Sequence, residues 1–346
     1  MAKTFDQLYA LTVPEIQKIF LQVMSDIVDR AMLDEMVKAI EANDVDALFQ
    51  ASGFTPAVLG PIVDRIEQAY KDGGENTVDG WPKRIRTPFG IVQPMFNMRN
   101  PAVEQDLREY SSQLITRISD EMRESVRIAL ETGLIKGDNP RTTALDIVGR
   151  KNMTTGKREG GLIGLANNQI RWSLTARRYL ESLDQRYFTL SLRDKRFDAT
   201  VRKAIEAGKP LTADVVSKLI VAYNNRALKY RGEMVARTET LQSLNRGQVG
   251  AIEQAIDEGN ITRDQVKKWW ANSSDSRVRD THKVAGTKYS KAKAIDMGEP
   301  FLMASGARMM FPGDQSLGAP AGEVIMCRCH VKHNIDFFKP LRDRNE

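Results

Sequence analysis

Apolar residues recur three or four positions apart through most of the chain, which is the spacing of one face of a helix. Near the N-terminus they are Ile16, Ile19, Phe20, Val23, Ile27 and Val28. Thr12 and Pro14 precede them and predict a helix start. Two further helices are predicted over 43–54 and 55–74, so residues 1–80 predict a helical unit suited to docking on another protein.

The middle of the chain predicts a linker followed by long helices. Residues 81–100 are rich in Pro and Gly and are typical of a surface loop or linker. An unbroken run from Pro101 to Thr132, capped by Asn100 and ended by Gly133, predicts a helix near 101–132 of about 48 Å. Helical spacing continues after it, so 101–234 predicts a basic helical region.

The sequence pattern changes after Gly259, where Gly, Pro, Asn and Ser divide the chain into short apolar and polar segments. Strands or hairpins are predicted over 300–305, 307–314 and 323–331. The fold class expected is therefore mainly α with a small C-terminal α+β module over 235–336, followed by a polar tail over 337–346.

Charge divides the chain unevenly. Residues 1–80 hold 6 of the 51 Lys and Arg but 14 of the 45 Asp and Glu, which leaves 45 basic against 31 acidic residues in the remainder. The basic part suits polyanions and the acidic part suits protein contacts, although solvated helix faces would give the same counts.

Several classes of protein are not favoured. No stretch approaches the roughly 18 apolar residues of a membrane span, and the N-terminus resembles no secretory signal, so a protein made and used inside a cell, with no membrane partner, is expected. Two cysteines in 346 residues are too few for a disulfide framework.

Residues 150–200 combine 11 Lys and Arg with 5 Asp and Glu and with interleaved aromatic residues. This mixture suits a surface that follows a nucleic-acid backbone, although core packing is the preferred interpretation for Trp172 and Tyr179. The glycines of 155–165 do not have the order of a phosphate loop. The candidate DNA contacts of the chain are Lys83, Arg84, Arg86, Lys157, Arg158, Arg177 and Arg178.

The segment 322–333 holds both cysteines and two of the three histidines. On a strand, Cys327 and Cys329 would share one face, where they could hold a soft metal such as zinc with His282. His330 or His333 would be a fourth ligand, although His330 would face away. Because structural zinc sites usually have two residues between cysteines, buried packing thiols and redox or catalytic thiols remain alternatives.

Charged residues cluster in the same region. Asp275, Arg277, Arg279 and His282 lie within eight residues, and Arg237 and Glu239 lie upstream. Arg237, Glu239, Arg279 and His282 could form a nuclease-like or other phosphoryl-transfer site. A charge network that holds a small domain together is the preferred alternative, so no catalytic residue is assigned.

The order of these motifs resembles the phage Mu F-like family of head morphogenesis proteins. The matching elements are an Arg-Thr-Glu helix, an Asp-x-Arg-x-Arg-x-x-His segment after a Trp, a Pro-Gly-Asp turn and a closing Cys-Arg-Cys. The resemblance is specific over about 100 residues and extends over about 97–336. The family-motif residues assigned to a structural network are Arg237, Glu239, Asn245, Asp275, Arg277, Arg279 and Arg328. One departure is Met326, where the family commonly has Asn.

The resemblance implies a minor head protein of a tailed double-stranded DNA phage. No enzymatic activity is expected, with the nuclease-like site as the alternative. Such a protein assembles in the host cytoplasm and lies inside the head near the portal vertex. The partners implied are the portal protein, double-stranded DNA bound without sequence preference, and the major capsid or scaffolding protein. The roles implied are head morphogenesis and genome packaging or ejection.

Overall fold

The structure is a computed structural model that describes residues 3–87, 90–273 and 276–339. As expected, the described chain is mainly helical with a small C-terminal α+β part. Its helices are α1 Phe5–Asp29, α2 Leu33–Glu41, α3 Val45–Ala51, α4 Gly60–Asp79, α5 Pro101–Lys136, α6 Pro140–Val148, α7 Asn167–Glu181, α8 Asp198–Ala207, α9 Ala213–Asp257, α10 Asp280–Lys288 and α11 Ala321–Val324. Its strands are β1 Ile85–Thr87, β2 Gly90–Val92, β3 Arg150–Lys151, β4 Arg158–Glu159, β5 Val266–Ala271, β6 Ile295–Asp296, β7 Phe301–Leu302, β8 Arg308–Met309 and β9 His330–Ile335.

The chain divides into two compact units, each built from separate stretches of sequence. Unit 1 comprises Met1–Ile16, Ile62–Ser111 and Glu233–Glu346, and unit 2 comprises Gln17–Pro61 and Ser112–Gly232. Helices α1, α5 and α9 contribute residues to both units. The sequence predicted consecutive domains with residues 1–80 as the first, whereas the compact units divide residues 1–80 between them.

The predicted start of the first helix is wrong. Helix α1 begins at Phe5, so Pro14 lies inside it and not at its first turn. Proline inside a helix removes one hydrogen bond and costs roughly 3 kcal/mol. About two extra turns nevertheless form, because Phe5 and Leu8 are buried in the apolar core of unit 1 together with Val331. Tertiary packing outweighs the local start signal here.

The long helix predicted near 101–132 is confirmed as α5. The side chain of Asn100 accepts hydrogen bonds from the amides of Ala102 and Val103, as a helix cap does. Gly133 does not end the helix. A Cβ atom there would lie 2.4 Å from the Oγ1 of Thr143 in α6, so close packing in unit 2 accounts for this glycine.

The C-terminal part of unit 1 contains a three-stranded antiparallel sheet with the order β6-β5-β9. The candidates 300–305 and 307–314 contain β7 and β8, which pair as a hairpin. The strand predicted over 323–331 is largely wrong, because α11 occupies its start and β9 begins only at His330. Cys327 and Cys329 therefore lie in a loop, and strand alternation does not determine where their side chains point.

Residues 81–100 carry a small hairpin and pack within unit 1. Strands β1 and β2 pair antiparallel. Farther along, the ring of Phe96 stacks on Tyr70 at 6.2 Å, and the side chain of Gln254 in α9 bonds to the Met95 carbonyl and the Asn97 amide. None of the helices within the described ranges is long and apolar enough to cross a membrane.

Candidate metal centre

Two parts of unit 1 bring His282, Cys327 and Cys329 together. His282 lies in the first turn of α10, and the cysteines lie in the loop between α11 and β9. All three side chains are buried, and Trp270 of β5 packs edge-on against the imidazole at 5.1 Å. The core of unit 1 thus fixes all three residues in a dry environment.

The donor atoms of these residues are close enough to share one ion. The Nδ1 of His282 lies 3.4 Å from the Sγ of Cys327 and 3.5 Å from the Sγ of Cys329, and all three donors lie within 4.8 Å of one another. With Zn–S at about 2.3 Å and Zn–N at about 2.0 Å, tetrahedral coordination separates nitrogen and sulfur by roughly 3.5 Å. The cluster can therefore hold a metal ion.

A carboxylate orients the imidazole. The Nε2 of His282 lies 2.9 Å from Oε2 of Glu323, and the same oxygen accepts a hydrogen bond from the hydroxyl of Thr281. Burial raises the pKa of Glu323, but hydrogen bonds from Ser305, Thr281 and His282 outweigh it and lower this pKa overall. An ionised Glu323 holds the proton on Nε2 and leaves Nδ1 as a lone-pair donor toward both sulfurs.

The two thiols differ in acidity. The hydrogen bond from Cys327 is the largest influence on Cys329 and, with His282, lowers its pKa to about 5 although burial opposes this. Burial raises the pKa of Cys327 well above its ordinary value. The Sγ of Cys329 also lies 3.4 Å from Oδ1 of Asn272, which accepts a bond from the Trp270 indole. The hydrogen bond from Cys327 and the contact with His282 therefore favour ionisation of Cys329 over that of Cys327, whereas the Asn272 oxygen accepts from the Cys329 thiol and opposes it.

The two remaining histidines do not join this cluster. Among the described residues the group that could share an ion contains His282, Cys327 and Cys329. His330 stacks on Phe5 at 4.6 Å, and His333 pairs across the sheet with Lys268. The expectation that His330 or His333 supplies a fourth ligand is therefore wrong.

Residues of the sequence motifs hold the segments around the candidate metal centre through hydrogen bonds. The buried Asn245 of α9 donates to the carbonyl of Pro312 and accepts from the amide of Val331, the second residue of β9. The buried carboxylate of Asp314 accepts hydrogen bonds from the amides of Met310 and Ser316, which closes the Pro-Gly-Asp turn.

Thr238 of the Arg-Thr-Glu motif fixes the loop before the cysteines. Its hydroxyl accepts a hydrogen bond from the amide of Met326 at 3.0 Å. The guanidinium of Arg279 donates to the carbonyl of Ile325. Two separate motifs therefore hold the backbone directly before Cys327, and their residues act as supports of the candidate metal centre.

The residues of the phosphoryl-transfer alternative have structural partners. Arg237 pairs with Glu233 one turn earlier at 2.9 Å, and the buried Glu239 accepts the hydroxyl of Tyr110 at 2.6 Å. Both ring nitrogens of His282 contact other side chains. Arg277 is exposed and Arg328 is half-buried, and both have partners. Asp275 lies outside the described residues.

The candidate DNA contacts fall into two groups. Arg84, Arg86, Lys157 and Arg178 are exposed, and exposed Lys83 lies 3.4 Å from Asp79. Arg158 donates to the carbonyl of Gly149, and Arg177 pairs with Asp146. The last two side chains are thus already engaged in unit 2.

Packing of the aromatic residues in 150–200 is mixed. Tyr187 is buried and Tyr179 packs against the same apolar cluster of unit 2, whereas Trp172 is 38% exposed. The core interpretation is therefore confirmed for Tyr179 and wrong for Trp172.

Thr238 belongs to a motif visible in the sequence, whereas the supporting residues Glu323 and Asn272 were not predicted. A carboxylate four residues before Cys327 was the available signal for Glu323, but no spacing rule connects Asn272 to the site. Comparison with protein-family models, with curated proteins and with solved structures finds no match for this chain.

Proposed function

We propose that this chain is a minor head protein of a tailed double-stranded DNA phage, located inside the head near the portal vertex. In this role it binds the portal protein and DNA and acts in head morphogenesis and in genome packaging or ejection. The chain is proposed to have no catalytic role. It binds DNA without reading its sequence, and the major capsid or scaffolding protein is a further candidate partner.

One observation carries this proposal. The motifs that resemble the Mu F-like family are separated by up to about 90 residues. Even so, one side chain, that of Asn245, bonds to both the Pro-Gly-Asp turn and the strand after Cys-Arg-Cys. Thr238 bonds to the residue directly before Cys-Arg-Cys. A motif pattern whose members support one another in space is what a shared fold requires, and this favours the resemblance over a chance match.

The basic side chains that remain exposed support DNA as a partner, although others are paired with carboxylates. Several basic residues of 150–200 are neutralised locally, since Arg186, Arg193 and Arg196 pair with Asp184, Asp198 and Asp194. The side chains of Arg84, Arg86, Lys157 and Arg178 are exposed and are therefore better placed to contact phosphates. Contacts of this kind bind DNA by charge, so affinity falls steeply as salt rises.

A co-purification experiment with the full chain tests the portal partner. Tagged protein is mixed with the cognate portal protein from the same genome, and the retained complex is quantified. The proposal predicts stoichiometric retention of portal protein. No retention at micromolar concentrations would contradict it. Deletion of residues 1–80 is unsuitable as a control, because Phe5 and Tyr70 lie in the cores of unit 1.

DNA binding is tested separately by measuring affinity for two unrelated duplexes across a salt series. We expect equal affinity for both duplexes and a linear loss of log K with log salt, by about 0.9 per phosphate contacted. Replacement of Arg84 and Arg86 by Gln should reduce the slope, whereas Arg177→Gln should change it less because Arg177 pairs with Asp146. Binding that is insensitive to salt would contradict this part of the proposal.

We further propose that the metal held by His282, Cys327 and Cys329 is zinc with a structural role. Thiolate and imidazole donors suit zinc, and the carboxylate behind the imidazole is typical of metal-bound histidine. The bound ion would tie α10 to the loop before β9. Packing thiols without metal are the competing interpretation, since both cysteines also belong to the apolar core cluster.

A further inference from the structure

A groove of about 690 Å³ runs along β9 in unit 1. All six residues of that strand line it, as do the first residues of α1 and the last turn of α4. Pockets for peptides and small molecules commonly occupy about 300–1,000 Å³. Since a six-residue strand is roughly 20 Å long, the groove has the extended shape of a polypeptide segment.

The strand that lines the groove, β9, is an edge strand of the sheet, and Trp269 of the central strand β5 also contributes to the lining. Strand β9 has β5 on one side and no further strand on the other within the described residues. The amide of Trp270 in β5 donates away from β9, to the carbonyl of Tyr289, and the amide of its partner Val331 donates to Asn245. By the two-residue period of a strand, the amides of His333 and Ile335 also point outward.

The outward amide of Val331 is taken by Asn245 of α9, whereas those of His333 and Ile335 have no partner in the parts of the chain that the structure describes. No hydrogen bond there reaches the amide of His333 or of Ile335. Unpaired main-chain groups along an edge strand form a ready template for another extended chain.

Three buried side-chain atoms at the same groove also lack partners among the described residues. They are Nδ1 of His330, Nε2 of His333 and Oε1 of Gln248, and His330 is only 7% exposed. Buried polar atoms are nearly always hydrogen-bonded to protein or to water, so these three atoms are available to bond a ligand in the groove. Imidazole and amide groups match the N–H and C=O groups of a peptide.

The residues that line the groove determine which side chains of a bound segment would fit. Trp81, Trp269 and Phe337 are half-buried and line the groove, with Trp81 edge-on to Phe337 at 6.0 Å. The charged side chains in the lining are Lys3, Lys332 and Asp6, which leaves a small positive excess. An aromatic or large aliphatic side chain without positive charge therefore complements this surface.

We infer that β9 binds an extended segment of a partner protein, which adds to the sheet as a further strand and places an aromatic or aliphatic side chain against Trp81 and Phe337. The segment is neutral or acidic. This mode of recognition is known as strand addition, in which main-chain bonds supply affinity and side-chain pockets supply specificity. The inference goes beyond the proposed function, because it holds whichever protein supplies the segment.

A displayed library of random heptapeptides, selected on the full-length protein, tests the inference. We expect enriched peptides with an aromatic or aliphatic residue and no net positive charge. Each is resynthesised with N-methyl groups at odd or at even positions, because only one of the two sets faces β9. Methylation of one set should weaken binding at least tenfold, and methylation of the other set should change it less than threefold.

Two variants locate the site on the protein. His333→Ala keeps the outward amide, whereas His333→Pro removes it, and proline is tolerated on an edge where the N–H faces outward. We expect the proline variant to bind at least tenfold more weakly than the alanine variant, with equal melting temperatures. If the proline variant melts earlier, the methylated peptides alone decide the result.

The inference is overturned if no peptide is enriched, or if neither methylation pattern weakens binding. It is also overturned if a folded proline variant binds as well as the alanine variant. A small aromatic compound such as indole that displaces all enriched peptides without any methylation effect would show a side-chain pocket and not strand addition. Portal retention is measured independently, so a failure here leaves the proposed function intact.

Discussion

At the scale of single residues, Glu323 determines what His282 can do. Its carboxylate lies 2.9 Å from Nε2 and so directs Nδ1 toward the two sulfurs. The sequence predicted the three candidate ligands but not this support. A histidine and two cysteines can be recognised by type, whereas a carboxylate becomes relevant only when the fold places it behind the imidazole.

The first prediction concerns this support. Glu323→Gln keeps the shape of the side chain but loses its charge, so the metal affinity should fall by about 10- to 100-fold. Competition against a chromophoric chelator measures the affinity, and exposed Glu299→Gln serves as the matched control. Equal affinity in both variants would show that Glu323 does not tune the site.

The second prediction concerns the loop before the cysteines. Met326 adopts φ +57, a left-handed conformation that costs a residue with a bulky side chain roughly 1–2 kcal/mol. Asparagine tolerates this backbone conformation better than methionine does.

Met326→Asn should therefore raise the free energy of unfolding by about 1 kcal/mol. Met153→Asn is the control, since Met153 is 95% exposed and its replacement should have almost no effect. Denaturant unfolding of the full chain measures both. A less stable Met326→Asn variant would show that contacts of the methionine side chain outweigh the backbone strain.

The third prediction concerns pH. Burial, with a further contribution from Lys268 across the sheet, lowers the pKa of His333 to about 3. The unfolded chain, with an ordinary pKa near 6.5, therefore takes up a proton first as the pH falls. His333 contributes stability that is complete above about pH 6.5 and is lost progressively between pH 6.5 and 3.

His333→Leu removes this titration. Because the residue as a whole is only half-buried, we expect the variant to gain about 1–2 kcal/mol over the parent between pH 7.5 and pH 5, and not the full value for a sealed site. Unfolding curves at both pH values measure the gain, with Asn334→Leu as the control. A gap that does not change with pH would contradict the assignment.

At the scale of elements, periodicity predicted most helices because an apolar face repeats wherever a helix packs. Periodicity did not predict the ends of helices where tertiary contacts determine them. Phe5 extends α1 past Pro14 by packing in the core, and Gly133 lies inside α5 because Thr143 approaches it. The strand expected over 323–331 failed because a short helix and the loop of Cys327 precede β9.

The fourth prediction concerns the contact between α4 and α9 within unit 1. A Cβ atom on Gly247 of α9 would lie 2.0 Å from the carbonyl oxygen of Tyr70 in α4, and one on Gly73 would lie 2.4 Å from the carbonyl oxygen of Leu244. The helices touch through their glycines. Close packing of α4 against α9 thus accounts for glycine at both positions.

Gly247→Ala should therefore destabilise the protein by roughly 1–3 kcal/mol, since backbone must move against backbone. Alanine inside a helix is otherwise worth about 0.5–1 kcal/mol over glycine, so the sign of the change is informative. Gly322→Ala in α11, where no atom lies within 4 Å of the added methyl group, is the control. A more stable Gly247→Ala variant would contradict the close packing.

At the scale of the whole molecule, the sequence predicted the fold class better than the division of the chain into compact units. Helical periodicity and the short segments after Gly259 predicted the mainly helical fold with a small C-terminal α+β part. Consecutive domains did not follow, because α1, α5 and α9 contribute to both units and the sequence carries no mark where a unit ends inside a helix.

The acidic N-terminal part illustrates the same point. Its excess of Asp and Glu suggested a separate docking unit, yet residues 1–16 belong to unit 1 and residues 17–61 belong to unit 2. Charge counted along the sequence does not identify a surface when the chain is shared between units. The candidate metal centre and the groove beside β9 both lie in unit 1 and are therefore the better starting points for experiments.

The fifth prediction tests the central claim, that zinc bound by His282, Cys327 and Cys329 stabilises this part of unit 1. The full chain is purified without added metal, and its zinc content is measured by mass spectrometry beside a Cys327→Ser and Cys329→Ser double variant. We predict about one zinc per chain in the parent, less than a tenth of that in the variant, and a lower melting temperature of the parent after chelation. A parent protein that is folded but holds no stoichiometric zinc, and that regains none from a zinc buffer, would contradict the claim and leave the cysteines as packing thiols.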